Sequence, residues 1–403
     1  MRIAVVGVGT AGLMSLCHML AHAPENTTVV SIYDPKIKIL GIGESSTFGF
    51  PKILFQGTGF NLPEFANELD ATAKFGVTYK GWRENDFESV IQPGDYALHF
   101  NNFKMKEFCF KRFKELWLDK FQTIEGTVLD VKNNGAYGSV YLENSEEKFD
   151  LIIDCRGYPT DYSDYNLIEN MPVNHALVHM IPEPGTWNTT IHQATRNGWM
   201  FGIPLKTRQG WGYLYNDTIT TREEAVEEIA EIFNTTPDKL DLREFPFKPY
   251  FAKTFFDGRI LKNGNRALFF EPLEALSGFF YEMALRTVFD YYTGVMPGVD
   301  KVNDHLTTLS QNLENFYHYV YHGGSVHDTK FWQTVTKTSA EKLKNNKRWE
   351  DTVAEVNGCI VGNDLIEKPI GLWFTEKWID WEDKFGYSYF KPHRGSIYFK
   401  RYP

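Results

Sequence analysis

Cysteine is scarce in this chain. Only four of its 403 residues are cysteines: Cys17, Cys109, Cys155 and Cys359. No two of them stand in a CxxC pair, which argues against a zinc site or a disulfide framework and fits a reducing cytosol. Long apolar runs are also missing. Nothing approaches the ~18 residues that mark a membrane span. The first apolar stretch, Ile3 to Val6, is too short for a signal peptide and leads straight into glycines. A cytoplasmic location without membrane contact is therefore expected. Basic charge is in deficit: 42 Lys and Arg against 52 Asp and Glu leave a net charge of −10. With no basic stripe, nucleic acid is not an expected partner. No internal repeat or low-complexity tract is present.

Aromatic residues are abundant at 16%. Aromatics favour strands and line pockets for flat ligands, and they equally fill ordinary cores. The length suits two domains, or one large α/β domain carrying an insert.

The chain opens on a β-branched run, Arg2 to Val6, followed by Gly7-Val8-Gly9-Thr10-Ala11-Gly12. A helix is expected over 13–21 and a second strand over 29–33, ending at Asp34. This is a strand, glycine turn, helix, strand unit of roughly 30 residues. Gly7 permits the tight turn, Gly9 lets the backbone approach a pyrophosphate, and Gly12 lets helix and strand pack closely. Thr10 and Ala11 open the helix, whose N-terminus favours phosphate charge. Asp34 stands where a carboxylate accepts hydrogen bonds from a ribose diol. The turn alone does not separate FAD from NAD. No second GxGxxG offers a seat for NAD(P)H.

Farther along, the pattern is mixed from 65 to 80, with Pro63 able to start a helix and Gly76 to interrupt it. Residues 103–121 look helical. A hairpin is expected around Asn133-Asn134-Gly135 and a buried strand at 150–154. Several strand-like runs fall within 172–215, and 222–233, 279–292 and 303–350 read as helical, the last with a break at Gly323-Gly324. Strands are expected to rejoin the N-terminal unit at 150–154 and near 267–270. The fold class expected is α/β. A discontinuous nucleotide-binding domain would comprise 1–171 and about 256–300, with an inserted β-rich substrate domain at 172–255 and a helical C-terminal region at 301–403.

Six segments in order resemble the flavin-dependent tryptophan halogenase family. They are the first glycine turn; Gly41-Ile42-Gly43-Glu44-Ser45-Ser46-Thr47; Ala73-Lys74 through Trp82-Arg83, similar to Phe-Lys-x-x-x-Lys-Phe-x-x-Trp; Asp154-Cys155-Arg156-Gly157; Gly198-Trp199-Met200-Phe201-Gly202-Ile203-Pro204, similar to Trp-x-Trp-x-Ile-Pro; and Glu271-Pro272-Leu273-Glu274 with Ser277-Gly278. The matching aligns Lys74, not Lys80, with the catalytic lysine.

The resemblance implies a Rossmann-like FAD domain of the GR2 type shared by flavin monooxygenases and halogenases. It implies FAD supplied as FADH2 by a separate NAD(P)H flavin reductase, O2, and a halide (chloride, bromide or iodide). The substrate would be a small electron-rich aromatic of indole or phenol type. Lys74 would deliver the halogen, and Glu274 would accept the ring proton. Gly7, Gly9, Thr10, Ala11, Gly12, Asp34, Gly43, Glu44, Ser45, Asp154 and Gly157 would hold the cofactor. Ser277 and Gly278 would offer amides to the halide. Trp199, Phe201 and Pro204 would form a wall between flavin and substrate, with His99, Phe100 and Phe103 facing the substrate.

Each residue also has a plain structural reading: a solvated lysine, a helix N-terminal carboxylate, core aromatics, a satisfied core histidine. The alternative activity is a single-component flavin monooxygenase hydroxylating an aromatic, which would need neither Lys74 nor the Trp199–Pro204 signature.

Three departures stand out. Phe201 replaces the second Trp of the signature. One extra residue follows Glu274. The chain is shorter than typical members, with no match to their C-terminal tryptophan clamp. Free tryptophan is therefore not the expected substrate, and an open site accepting varied arenes is. Self-association into a homo-oligomer stays open.

Overall fold

The computed structural model describes residues 1–39, 41–42, 44–344, 346–362 and 364–391. It starts with β1 (Arg2–Val6), α1 (Thr10–His22) and β2 (Thr28–Tyr33). After β2 come α2 (Phe50–Thr58), α3 (Leu62–Leu69), β3 (Thr72–Lys74), β4 (Gly76–Lys80), β5 (Phe87–Val90), β6 (Ala97–His99) and α4 (Asn102–Leu116). The mixed pattern at 65–80 is thus a helix end followed by two strands. Asp70, in the left-handed conformation, closes α3 between them. The helix expected over 103–121 stops at Leu116. Trp117 turns the chain and donates from Nε1 to the Gly57 carbonyl, and Phe121 already belongs to the next strand.

That strand is β7 (Phe121–Glu125), followed by β8 (Val128–Asn133), β9 (Gly138–Leu142), β10 (Glu146–Phe149) and β11 (Leu151–Asp154). Strands β8 and β9 pair antiparallel across the Asn133–Gly135 turn. Next are β12 (Tyr165–Leu167), β13 (His175–Ile181), β14 (Thr190–Thr195), β15 (Gly198–Pro204), β16 (Gln209–Tyr215), α5 (Arg222–Ile232), β17 (Leu242–Pro246), β18 (Tyr250–Ala252), β19 (Ile260–Lys262) and β20 (Leu268–Phe269). The chain continues with α6 (Leu276–Tyr292), α7 (Val299–Tyr321), α8 (Lys330–Lys344) and α9 (Lys347–Gly358). After two short strand pairs, α10 (Thr375–Phe385) follows.

Two sheets organise these elements. A parallel sheet has the order β19-β11-β1-β2-β7. Its strands are Val- and Ile-rich because both faces are covered. Helix α1 packs on one face, and the hairpin strands cover Val6, Ile32 and Ile152 on the other. The strand expected near 267–270 is not part of this sheet. Ile260–Lys262 takes the edge position, and Leu268–Phe269 pairs with β18 in a separate three-stranded sheet. The cause is the turn at Gly264–Arg266. Gly264 has φ +64°, and a Cβ there would meet Ala11 Cβ at 2.5 Å, so the chain turns away against α1.

The second sheet has seven strands in the order β17-β13-β16-β15-β14-β4-β5. It extends beyond the 172–255 segment, because β4 and β5 come from residues 76–90 and β4 pairs in parallel with β14. Its two faces separate by strand alternation. On β15, Met200 packs toward α5, while Trp199, Phe201 and Ile203 face the main core. The site lies against this inner face.

Candidate active site

The glycine turn has the form its spacing requires. Gly7 has φ +102°, and a Cβ there would lie 2.4 Å from the Cys155 carbonyl oxygen. A Cβ on Gly12 would lie 2.0 Å from the Gly7 carbonyl oxygen. Gly9, by contrast, is extended and its Cβ position is open space. No side chain caps α1, so the amides at its start are free to meet an anion. The space over Gly9 and the uncapped helix fit a dinucleotide pyrophosphate. Asp34 follows β2 and accepts from Thr127 Oγ1 at 2.7 Å and from the Lys36 amide at 2.8 Å, which hold its carboxyl below the usual range.

The loop after β2 is fastened from inside. The buried carboxylate of Glu44 receives Arg208 Nη2 on both oxygens, at 2.6 and 2.5 Å, and the Asn102 amide at 2.9 Å. The Glu44 side chain therefore ties this loop to the β15–β16 turn and to α4. Gly43 lies outside the described residues. Asp154 is likewise committed internally, to Arg156 at 2.8 Å and Arg266 at 3.3 Å. After it, Gly157 at φ +87° leaves open space beside the backbone.

Lys74, at the end of β3, is 3% exposed. Its Nζ donates to Ser45 Oγ at 3.0 Å and to the Ser46 carbonyl at 3.1 Å. Burial disfavours the ammonium and pushes its pKa down to about 8, against the pull of Glu274. His99 pairs with Lys74's strand neighbour Thr72 through Nδ1 and with Thr190 through Nε2. Burial and the Lys74 charge hold this histidine well below its ordinary pKa, so it is neutral.

Glu274 approaches from the other side of the sequence. It and Ala275 are consecutive non-glycine residues in the left-handed region, at φ 59° and 56°. Through them the chain enters α6, whose first amides have no side-chain cap. Ser277 and Gly278 lie in this first turn, half-buried, with open space beside Gly278. Tyr79 Oη donates to Glu274 Oε1 at 2.7 Å. Burial raises the Glu274 pKa, and Lys74, Tyr79, Lys377 and Lys384 oppose that rise.

An aromatic wall backs the pair. Trp199 is fully buried, 4.9 Å from the His192 ring and 6.4 Å from Phe201. A Cβ on Gly212 would strike the Phe201 ring at 2.2 Å, so that glycine makes room for it. The Pro204 carbonyl receives Thr72 Oγ1 at 2.8 Å.

The model for tryptophan halogenase matches residues 2–127 and 83–379. The chain belongs to the tryptophan halogenase family. It is 22% identical to a tryptophan 7-halogenase of Kutzneria sp. (strain 744), over 82% of this chain and 78% of that protein. A tryptophan halogenase structure from Shewanella frigidimarina has a TM-score of 0.80 at 17% identity, covering 99% of this chain and 92% of the other. A flavin-dependent halogenase from Brevundimonas sp. BAL3 has a TM-score of 0.79 at 16% identity, over 99% and 94%.

In this halogenase-family chain, the segment after Glu274 enters α6 through two left-handed residues. Phe100 and Phe103 have other neighbours on this side of the fold. Phe100 stacks on Phe50 at 4.8 Å, and Phe103 is half exposed, covering Gly41. Helix α10 packs beside this group through its aromatic side chains. Trp381 and Phe385 lie 5.7 and 5.8 Å from Tyr79.

Residue-type reasoning missed Tyr79, His192 and Tyr321. Alternation along β4 could have flagged Tyr79, which shares a face with buried Val77. His192 is buried with Nδ1 unpartnered, edge-on to Tyr79. Tyr321 donates to Glu271 at 2.9 Å, and burial raises that carboxyl to about 8.

Proposed function

We propose that this chain is a cytoplasmic flavin-dependent halogenase acting on an electron-rich indole- or phenol-type arene, fed with FADH2 by a separate NAD(P)H flavin reductase. The observation that carries this reading is a buried lysine facing a buried glutamate with no salt bridge between them. Lys74 Nζ is held by Ser45 and Ser46, and Glu274 by Tyr79. An ordinary structural pair would close.

Gly7, Gly9, Thr10, Ala11 and Gly12 would receive the FAD pyrophosphate and Asp34 the ribose. The Gly43–Ser45 loop and the Asp154–Gly157 turn would line the flavin side. Residues 1–171 with about 256–300 would carry these parts, and 172–255, joined by β4 and β5, would supply the wall. When bound, reduced flavin would activate O2, the oxidant that converts halide to hypohalous acid.

Lys74 then has two uses near neutral pH, since burial brings its pKa to about 8. As ammonium it donates to the hypohalous oxygen and sharpens the halogen as an electrophile. As amine its nitrogen attacks the halogen: the N–halogen bond forms, the O–halogen bond breaks, and the hydroxide leaves as water with the N–H proton. Trp199, Phe201 and Pro204 keep the arene from the flavin, which separates halogenation from hydroxylation. Glu274 accepts the ring proton, and the Ser277 and Gly278 amides hold halide.

The test supplies FAD, a flavin reductase, NADH and bromide, and screens indoles and phenols by mass spectrometry. Brominated arenes are expected. Hydroxylated arenes would move the protein to the flavin monooxygenases.

A further inference from the structure

Glu274 receives one side-chain hydrogen bond among the described residues, and it comes from Tyr79, a group the reaction outlined above does not use. The bond is 2.7 Å long, and both residues are buried. The Tyr79 ring has little freedom. It stacks on Phe87 at 4.8 Å with planes 6° apart, and the edges of Trp82, His192, Trp381 and Phe385 enclose it at 5.2–5.8 Å. In the segment similar to Phe-Lys-x-x-x-Lys-Phe-x-x-Trp, Tyr79 stands at the second Phe. The hydroxyl is therefore an addition to that motif, aimed at the glutamate.

We propose that Tyr79 is a positioning residue for Glu274: its phenol pins Oε1 and leaves Oε2 to take the proton from the halogenated ring. The inference rests on the reading of Glu274 as proton acceptor. In that step the ring C–H bond breaks and its electron pair returns to the ring. The proton forms an O–H bond on Oε2, so Glu274 must be ionised beforehand.

The groups facing Glu274 are Lys74 from β3, Tyr79 from β4, Tyr317 from α7, and Lys377 and Lys384 from α10. Burial favours its neutral form. The three lysines and the Tyr79 bond favour the ionised one. The lysines act through space, and Tyr79 alone among them touches the carboxylate. A hydrogen bond to an ionised acceptor is among the stronger kinds in a dry site, and it also fixes direction.

The experiment is an infrared titration of the apo protein, following the protonated carboxyl stretch assigned to Glu274 by its loss in Glu274→Gln. In Tyr79→Phe the midpoint is expected to rise by about one pH unit. During turnover, kcat is expected to fall about tenfold with KM little changed, and the acidic limb of the kcat–pH profile to move up with the midpoint. Site-specific 3-fluorotyrosine at position 79 keeps the shape and makes the phenol a stronger donor, so it is expected to move the midpoint down. Midpoints unmoved in both variants would overturn the proposal. Wild-type turnover in Glu274→Gln would instead overturn the proton-acceptor reading, separately from the pairing.

Discussion

Lys74 and Glu274 sense each other's charge across the site, yet they do not form an ion pair. The lysine is held by Ser45 and Ser46, and the glutamate by Tyr79. Taking an ammonium out of water without a contacting carboxylate is costly. The fold bears that cost and keeps an ionisable amine within electrostatic reach of an ionisable acid, each tethered by other groups.

Stability should therefore depend on pH through Lys74. Its native pKa of about 8 lies below its ordinary value of 10.5. Between those two values the unfolded chain holds a proton that the native chain does not, so stability rises with pH across that window. Below it both states are charged and the full burial cost applies. Lys74→Met should be more stable than wild type by up to about 3 kcal/mol at pH 7. That advantage should shrink toward pH 10. Urea melts at pH 7 and pH 10 check this, and an unstabilised variant at pH 7 would count against it.

The glycine turn separates structure from cofactor binding. Gly9→Ala places its methyl in open space on an extended backbone, so stability should stay within about 0.5 kcal/mol. FAD affinity should fall tenfold or more, measured by flavin fluorescence. Gly12→Ala drives its methyl to 2.0 Å from the Gly7 carbonyl oxygen and should lower the melting temperature as well. Equal flavin affinity in Gly9→Ala and wild type would remove the pyrophosphate from this turn.

Ala275 tests the strain at the entrance to α6. A left-handed conformation costs a non-glycine residue about 1–2 kcal/mol, and Ala275 holds φ 56°. Ala275→Gly should raise stability by about 1 kcal/mol, seen as a higher urea midpoint. A lower midpoint would mean that the methyl contributes packing that outweighs its strain.

Much of the fold was legible because its signals are local. The turn from Gly7 to Gly12, the strand Gly198–Pro204 and the hairpin around Gly135 depend on neighbours a few residues apart. The strand at 268–269 joins β18 rather than the parallel sheet, and an apolar run does not name its partner. Gly264, packed against Ala11, decides that. At the site, Lys74 was marked by its motif. Tyr79 was not, because its role depends on Glu274, 195 residues away. The packing of Trp381 and Phe385 against Tyr79 was hidden for the same reason. Phe100, next to His99 in sequence, stacks on Phe50, and Phe103 is half exposed over Gly41, partners that their place in the sequence does not name.

The most direct measurement compares Lys74→Ala with wild type under reductase-supplied FADH2, O2 and bromide. Brominated arene is followed by mass spectrometry, and FAD binding is measured on the same preparations. The account predicts bromination by the wild type, its loss by at least a thousandfold in the variant, about 4 kcal/mol of transition-state stabilisation, and unchanged FAD affinity. Bromination persisting in Lys74→Ala at the wild-type rate would contradict it.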